Sequence, residues 1–402
     1  MKSEDFMRGS SLFFELLQLS VGTRQGLSFT PSAEEWREAF DNAKRQALVG
    51  VCFRGVQCAV KNDNSKVVNL PLKLKMQWLA ITANIQKRNE VMNHRCAELY
   101  GLIKADGYES CVLKGQAVAM YYDADSNTNE TDRMSLLRQS GDIDMWMVGD
   151  VEEVIRWARD TDTMYYYDYH HADLSLFLDT EIELHYRPSI SRNLWRNARL
   201  QKWFRNEGLH HIIYNEQLKC CVPDNVFSLI LTLNHNLWHL LYEGVGLRQM
   251  MDLYYVARSM QSSDEVSRLL SRFQLESFAS ASAWVLWNLF DGSADNSLFV
   301  SEQSPLPEPN ERLGRFLLNE IMKAGNFGHH DERLKSGRYD SSTRLMMQWL
   351  RHTMRLVKYF PVEVAWTPIG ILRISMWRRW RYSAVRNVEF CNRLCRLPEQ
   401  EC

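Results

Sequence analysis

The segment Gly141-Asp-Ile-Asp-Met-Trp-Met-Val148 constrains the fold most, because it is a short apolar stretch with acids at alternate positions. Alternate residues of a β-strand point to the same face, so a strand here would aim Asp142 and Asp144 in one direction. Two carboxylates on one face can bind a metal ion. For an isolated Asp-x-Asp, a solvated strand end is the plain alternative, and the surrounding sequence has to discriminate between the two.

The segment upstream has the pattern of a strand followed by a tight turn and a helix. Ser110-Cys-Val-Leu-Lys-Gly115 is an apolar run that ends in glycine, and Gln116-Ala-Val-Ala-Met-Tyr121 reads as the start of a helix. Glycine lets backbone N–H groups approach a ligand closely, and a helix N-terminus favours phosphate. The turn at Gly115 is therefore predicted to shape a phosphate site.

A third strand is predicted downstream, where Thr180-Glu-Ile-Glu-Leu-His-Tyr-Arg187 alternates polar and apolar residues. Glu181, Glu183 and His185 would project together from this strand. Glu183 is preferred to Glu181 as a third acid because it lies nearer the His-containing motif. His185 could orient a carboxylate, contact a nucleotide or make a structural hydrogen bond, and the sequence leaves these alternatives open.

At these residues the chain resembles the nucleotidyltransferase superfamily that includes DNA polymerase β, and more closely its bacterial family of uncharacterised nucleotidyltransferases. The resemblance rests on four motifs, here Leu113–Gly115, Arg138, Gly141–Asp144 and Glu183–His185. Three later segments look like the family's helical part: Asn234–His239, Gly246–Asp252 and Gly325–Gly328. The similarity thus extends from about residue 70 through most of the chain. Two departures are Gln116 after the glycine, where polymerase-type members have Ser, and a longer loop between that glycine and the Asp-x-Asp.

The resemblance implies a two-metal catalytic site. Asp142 and Asp144 would bind two Mg²⁺ ions, or Mn²⁺ in their place, and Glu183 would complete the site and help to deprotonate the acceptor. The implied reaction moves a nucleoside monophosphate from a nucleoside triphosphate, such as ATP, to an unidentified acceptor hydroxyl with release of pyrophosphate. The acceptor classes left open are a sugar or cell-surface precursor, an antibiotic-like small molecule, a protein side chain and an RNA end.

The resemblance also implies residues for the phosphate groups. Gly115 and Gly141 would shape the nucleotide site, and Lys114 and Arg138 are candidates to neutralise phosphate charge. Strand alternation would point Lys114 away from the ligand, which favours Arg138. A non-catalytic nucleotide-binding scaffold with the same fold is the first alternative, because Gln116 departs from the usual motif.

The C-terminus has the strongest charge asymmetry of the chain. Many arginines between Arg351 and Arg396 are interleaved with aromatic residues, as in Trp377-Arg-Arg-Trp-Arg-Tyr382. Such a helix can bind RNA, an acidic partner or an anionic membrane surface, which makes a binder of RNA or membranes the second alternative. The plain interpretation is that the tryptophans pack inward and the arginines are solvated.

Composition is compatible with an intracellular enzyme. The 402 residues are 45% hydrophobic and 24% charged, so the chain can bury a large core, and its net charge of −1 argues against a global basic field. No apolar stretch approaches the roughly 18 residues of a spanning helix. Acids follow Met1 where a signal peptide would be basic, so a cytoplasmic location is expected. The nine cysteines form no Cys-x-x-Cys pair, which predicts reduced thiols and argues against a zinc site.

The predicted fold class is α+β, with a small mixed-sheet, polymerase-β-like core at 109–190 between helical regions at 1–108 and 191–402. The acidic, capped segment Pro31–Trp36 should begin a helix, and apolar positions from Trp78 to Ile103 mark one face of a long helix that packs on the sheet. Residues 122–139 should form a mobile loop. A short helix at Val151–Asp160 and strands within Met164–Leu178 follow, and helices are expected after Pro188.

Three smaller patterns in the C-terminal region are given structural interpretations. His235 and His239 have the spacing of a helical zinc pair without an evident third ligand, so packing or hydrogen bonding is expected. Arg248 and Asp252 are most simply an ion pair on one helix face, and a role in binding base or acceptor is the alternative. A turn is expected at Gly325, Gly328, His329 and His330.

Overall fold

The protein is described here by a computed structural model that covers residues 11–123, 133–291, 297–328 and 351–394, with side chains described for these residues except Ser11, Phe327 and 381–394. Half of the predicted mobile loop, the residues 124–132, lies outside the described part of the chain. His329 and His330 also lie outside it.

One mixed sheet of five strands carries the predicted motifs. The strands are β1 (Ser110–Val112), β2 (Ile143–Met147), β3 (Met164–Tyr167), β4 (His171–Phe177) and β5 (Thr180–His185). Their spatial order is β1-β2-β5-β4-β3; β2 and β5 run parallel, whereas the other neighbours are antiparallel. The α+β class with a small mixed sheet is confirmed.

Strand β2 is buried on both faces, so its alternate side chains enter two different hydrophobic clusters. Ile143, Met145 and Met147 belong to one hydrophobic cluster. Trp146 belongs to the other and contacts Phe204, with a ring-centroid distance of 6.4 Å. Asp144 shares the Trp146 face, which aims its carboxylate away from the first cluster.

Helices surround the sheet and make up most of the chain. Before the sheet lie α1 (Ser11–Val21), α2 (Ala33–Arg45), α3 (Val49–Asn62) and α4 (Leu72–Ala105). Within and after it lie α5 (Gln116–Ala119), α6 (Val151–Asp160), α7 (Leu194–Arg205), α8 (Asn225–Tyr242), α9 (Leu247–Arg258), α10 (Asp264–Arg272), α11 (Glu276–Leu289), α12 (Glu311–Ala324), a helical stretch over 351–357, and α13 (Pro361–Leu394). None of these helices in the described ranges is long and apolar enough to cross a membrane.

The predicted long helix is confirmed as α4, and it packs against both hydrophobic clusters. Its C-terminal half packs Met92, Cys96, Leu99 and Ile103 into the cluster that contains the sheet residues. Trp78, near its N-terminus, instead joins the helical cluster. That second cluster contains residues from both the first and the last helical regions, and it supports the sheet from the side opposite to the C-terminal half of α4.

The predicted capped start is confirmed at α2, where Ser32 and Glu35 form a reciprocal capping box that satisfies two backbone N–H groups. The predicted helix Val151–Asp160 is confirmed and has its own capping box at Asp150 and Glu153. The predicted strands within Met164–Leu178 are confirmed as β3 and β4.

The prediction of helices from Pro188 onward is wrong at 212–223, where β6 (Ile212–Asn215) and β7 (Cys220–Pro223) form an antiparallel hairpin, and the break expected at 361–368 is absent because α13 continues through Pro368. The Asn215 side chain accepts hydrogen bonds from the backbone N–H groups of Gln217 and Leu218, which closes the turn. Cys220 and Val222 then pack into the sheet cluster. Turn chemistry and burial in this cluster therefore override the surrounding helical pattern.

Helix α13 is fixed beside the sheet by three contacts. Glu363 makes a buried ion pair with Arg196 of α7 at 2.6 Å. Gly370 meets Arg192 so closely that a Cβ on the glycine would lie 2.4 Å from the Arg192 Cβ. Trp377 packs edge-on against Tyr169, with a ring-centroid distance of 5.4 Å. These contacts place the middle of the basic C-terminal helix over the sheet.

Candidate functional site

A pocket of about 740 Å³ lies between the sheet, α8, α9 and α13. Such a volume is typical of a small-molecule site. All of the predicted site residues line it: Lys114, Gly115, Arg138, Gly141, Asp142, Asp144, Glu183 and His185. Helix α13 contributes Ile371, Ile374, Ser375 and Arg378 to the wall. Tertiary packing therefore brings segments far apart in sequence to one cavity.

Two of the predicted acids lie side by side because their strands are parallel. Asp144 of β2 is in register with Glu183 of β5. Ligand atoms of Asp144, Glu183 and His185 all lie within 4.8 Å of one another, which makes this group able to hold a metal ion. Asp142 lines the same pocket, outside that group. Glu181 is exposed and does not line the pocket.

Crowding of the acids shifts their pKa values in different directions. Burial, with the charges of Asp144 and Glu183, raises the pKa of Asp142 to about 6. Burial would also raise the pKa of Asp144, but Lys114 and His185 hold it well below its usual range. For Glu183, burial is likewise outweighed, chiefly by the hydrogen bond with His185, and the pKa falls to about 2. The site therefore gathers negative charge that favours a bound cation.

Two protein cations contact Asp144. Lys114 Nζ lies 2.8 Å from its Oδ1, and His185 Nε2 lies 3.0 Å from the same oxygen and 3.2 Å from Glu183 Oε2. Burial alone would lower the pKa of both side chains. The two carboxylates nevertheless raise the pKa of His185 to about 9, and Asp144 is the main cause of the raised pKa of Lys114. The expectation that alternation points Lys114 away is wrong, because β1 ends at Val112 and the chain has left the strand before the lysine.

The predicted turn is present at Gly115, whose φ of +58° favours glycine. The following Gln116 is buried and does not line the pocket. Its side-chain oxygen accepts a hydrogen bond from Ser140 Oγ at 2.6 Å, and its side-chain nitrogen bonds Asn93. The residue that replaces the usual Ser is thus bound to the protein interior, and the turn offers its backbone to the pocket.

Arg138 is held in a second cluster. Its Nε and Nη2 donate to the two carboxylate oxygens of Asp252 at 2.7 and 2.8 Å, and Tyr122 donates to Asp252 at 2.7 Å. Its buried Nη1 has no hydrogen-bond partner among the described residues, although Arg138 lines the pocket. Asp252 is therefore bound by an arginine from a distant segment, which the Arg248–Asp252 spacing could not indicate. Arg248 donates to the Gln139 carbonyl at 3.0 Å.

The histidine pair of α8 also lines the pocket. His235 Nε2 and His239 Nε2 are 2.8 Å apart, and His239 Nδ1 lies 2.9 Å from Glu243. Burial, reinforced by Lys114, holds the pKa of His235 well below its usual value.

Gly244 on the next loop approaches Gly328 so closely that a Cβ on Gly244 would lie 2.6 Å from the Gly328 Cα. The glycines of the later turn thus permit close packing beside the pocket.

Among the pocket residues that sequence reasoning missed are His170, His171 and Arg192. The signal for the histidines was the run His170-His171-Ala-Asp173, which enters β4 with His171 and Asp173 at alternate positions. Cross-strand register then places His171 opposite His185 and Asp173 opposite Glu183. The predicted third strand was correct, but the polar residues of its antiparallel neighbour were read only as part of an aromatic segment.

A glycine turn, one acid on a strand with a second acid just before that strand, and a third acid on a parallel neighbour, set in a small mixed sheet, are the arrangement expected of a nucleotidyltransferase. Residues 32–291 match the family described as uncharacterised nucleotidyltransferase. The match covers more than half of the 402 residues, and the chain belongs to this family. The predicted family is confirmed; the match begins before residue 70 and ends before the Gly325–Gly328 segment. No curated protein matches the chain.

Proposed function

We propose that the protein is a Mg²⁺-dependent enzyme that transfers a nucleoside monophosphate from a nucleoside triphosphate to an acceptor hydroxyl. The observation that carries this proposal is the register of Asp144 with Glu183, beside Asp142 and the Gly115 turn, in one pocket. Family membership supports transfer of nucleotidyl groups in general. The metal, the donor and the use of a hydroxyl acceptor are the added content of the proposal.

The donor set fits Mg²⁺, because the three acids provide hard oxygen ligands and Mg²⁺ is commonly held by a few carboxylates with substrate phosphates. Mn²⁺ accepts the same oxygen ligands. When bound, a pair of divalent ions would neutralise the triphosphate and activate the acceptor oxygen. The concentration of buried negative charge at Asp142, Asp144 and Glu183 supports this assignment.

The protein side chains would then have separate tasks. Gly115 offers its turn backbone to the phosphates, and Lys114 and the unpartnered Nη1 of Arg138 donate to phosphate oxygens. Glu183 completes the carboxylate set and helps to accept the proton of the acceptor hydroxyl. A bond forms between the acceptor oxygen and the α-phosphorus, the bond from that phosphorus to the bridging oxygen breaks, and pyrophosphate leaves with the bond electrons.

The first experiment is a calorimetric titration of the full chain with ATP, GTP, CTP and UTP in the presence and absence of Mg²⁺. The Asp142→Asn/Asp144→Asn double variant should lose metal-dependent nucleotide binding, whereas Glu181→Gln, a change on the same strand as Glu183 but outside the pocket, should retain it. Unchanged binding in the double variant would refute the site.

The second experiment measures pyrophosphate release with the bound nucleotide and a panel of acceptors: sugars, antibiotic-like small molecules, RNA ends and the protein itself. Release that requires Asp144 and one acceptor class supports transfer and identifies that class. Nucleotide binding without release on any member of the panel would instead support a nucleotide-binding scaffold and overturn the catalytic proposal.

A further inference from the structure

We propose that the chain has a second metal site, formed by His170, His171 and His185 with Glu183 as a shared carboxylate, which takes a divalent transition metal. We call it the three-histidine site. It lies at the antiparallel β4/β5 edge of the pocket, where His171 and His185 are cross-strand partners and His170 immediately precedes β4. The site requires no nucleotide, so it goes beyond the proposed transfer reaction.

The facing atoms are already close enough to share an ion. One ligand atom from each of the three histidines lies within 4.8 Å of the others. His170 Nε2 and His171 Nδ1 are 3.0 Å apart, and Glu183 Oε2 lies 3.6 Å from His171 Nδ1 and 3.2 Å from His185 Nε2. Atoms that bind one ion at about 2.1 Å are separated by about 3.0–3.4 Å in tetrahedral or octahedral geometry. The separations of 3.0 and 3.2 Å fall within this range, and binding would draw the other atoms closer.

Each ring also has an oxygen acceptor beside its outer nitrogen, by which we mean the ring nitrogen that faces away from the proposed ion. The outer nitrogen-to-oxygen distances are 2.9 Å for His170 Nδ1 to Asp168, 3.0 Å for His171 Nε2 to Asp173, and 3.3 Å for His185 Nδ1 to the Arg187 carbonyl. Histidines that bind metals usually donate the other ring N–H to such a carboxylate or carbonyl, which directs the remaining lone pair at the ion. The His185 pair is aligned as a hydrogen bond, and for His170 and His171 the carboxylate lies at hydrogen-bond distance without that alignment.

The facing nitrogens of His170 and His171 either share one proton in a hydrogen bond or, with both N–H groups turned toward the carboxylates, present two lone pairs to each other. In the second arrangement the lone pairs repel each other across the 3.0 Å between the nitrogens, and a positive ion between them removes the repulsion.

The donor atoms determine the class of ion. Three imidazole nitrogens and one carboxylate suit zinc and its first-row neighbours, whereas Mg²⁺ prefers oxygen ligands throughout. The expectation against a zinc site rests on the cysteines and on the α8 histidine pair, and it does not concern these strand histidines. Glu183 belongs to both donor sets, so the transition-metal site would adjoin the proposed Mg²⁺ site.

Zinc binding to the full, chelator-stripped chain tests the proposal without nucleotide. Calorimetry should show one tight Zn²⁺ per chain that excess Mg²⁺ does not displace. His170→Ala and His171→Ala should weaken this binding at least about 10-fold, and Asp168→Asn about 10-fold through loss of ring orientation. His94→Ala, a change at an exposed histidine of α4, is the matched control and should leave it unchanged.

Either of two results would overturn the site: wild-type affinity in His171→Ala, or selective loss of zinc in His235→Ala, which would move the ion to the α8 pair. An X-ray absorption spectrum of the zinc-loaded wild type guards against misfolded variants, because it should show imidazole scattering, and sulfur ligands would contradict the assignment. The Asp142→Asn variant should still bind Zn²⁺, so this proposal can fail or succeed independently of nucleotide transfer.

Discussion

Two buried carboxylates line the same pocket, and each is contacted by a cation, but the two clusters are built differently. Asp252 is hydrogen-bonded on both oxygens, because Arg138 donates to each of them at 2.7 and 2.8 Å and Tyr122 adds a third hydrogen bond. Asp144 takes Lys114 and His185 on Oδ1 alone. Its Oδ2 has no hydrogen bond or ion pair among the described residues.

The difference separates a structural ion pair from a site with unused binding capacity. The arginine fork matches a carboxylate geometrically and donates to both of its oxygens. Lysine is a point charge on a flexible stem, and it leaves ligand positions on Asp144 that an incoming cation can occupy. Asp144 also has Asp142 and Glu183 as acidic neighbours. A bound metal would relieve the repulsion among these three carboxylates, which a single lysine does not. Burial and pairing alone therefore do not identify a functional acid.

The largest expected effect is on transfer activity in Asp144→Asn. The rate of pyrophosphate release should fall by about 10³-fold or more, because stabilisation by a bound metal contributes several kcal/mol. The free energy of unfolding should fall less than in an Asp252 variant, because Asp142 and Glu183 remain to interact with Lys114, and Glu183 with His185, when this charge is lost. Steady-state kinetics and urea denaturation measure the two quantities, and near-wild-type turnover would contradict the comparison.

Asp252→Asn should have the opposite profile. Removing one partner of a buried ion pair leaves the Arg138 charge uncompensated, and the free energy of unfolding should fall by about 3–5 kcal/mol. Tyr122→Phe, which deletes only one hydrogen bond to the same acid, is the graded control and should cost about 1 kcal/mol. Urea denaturation measures both. A loss below about 1 kcal/mol in Asp252→Asn would show that this cluster is not structural.

Lys114→Met should weaken nucleotide binding by about 10- to 100-fold, the effect of one charge-assisted hydrogen bond of roughly 1.5–3 kcal/mol. The change tests whether Lys114 serves the phosphates as well as Asp144. Titration calorimetry with Mg²⁺ and the preferred nucleotide gives the dissociation constant. Lys73→Met on the exposed surface of α4 controls for loss of one positive charge, and equal affinities in both variants would remove Lys114 from the nucleotide site.

The smallest expected effect is in Glu181→Gln, which should change turnover by less than about twofold, because surface changes away from a site have little energetic effect. Glu181 is exposed and outside the pocket, whereas Glu183 is in register with Asp144. Glu183→Gln should therefore resemble Asp144→Asn in the same kinetic assay. The reverse ranking of the two variants would reassign the third acid to Glu181.

Much of the fold was predictable because its signals are local. Alternation of polar and apolar residues indicated β2 and β5, apolar positions three, four or seven apart indicated one face of α4, and the acidic, capped segment Pro31–Trp36 indicated the start of α2. The hairpin at 212–223 was missed, because its short strands acquire their stability from packing on the sheet cluster. Short apolar runs do not by themselves distinguish strand from helix.

The sequence by itself determined which residues could form a metal and phosphate site, since spacing fixes the face of a strand and glycine marks the turn. Only the tertiary structure decided how those residues are used. It directed Lys114 toward Asp144, paired Arg138 with Asp252 across 114 positions, and placed His171 opposite His185. These outcomes depend on contacts between segments far apart in the chain, and residue spacing carries no information about which distant groups packing will bring within about 3 Å of each other.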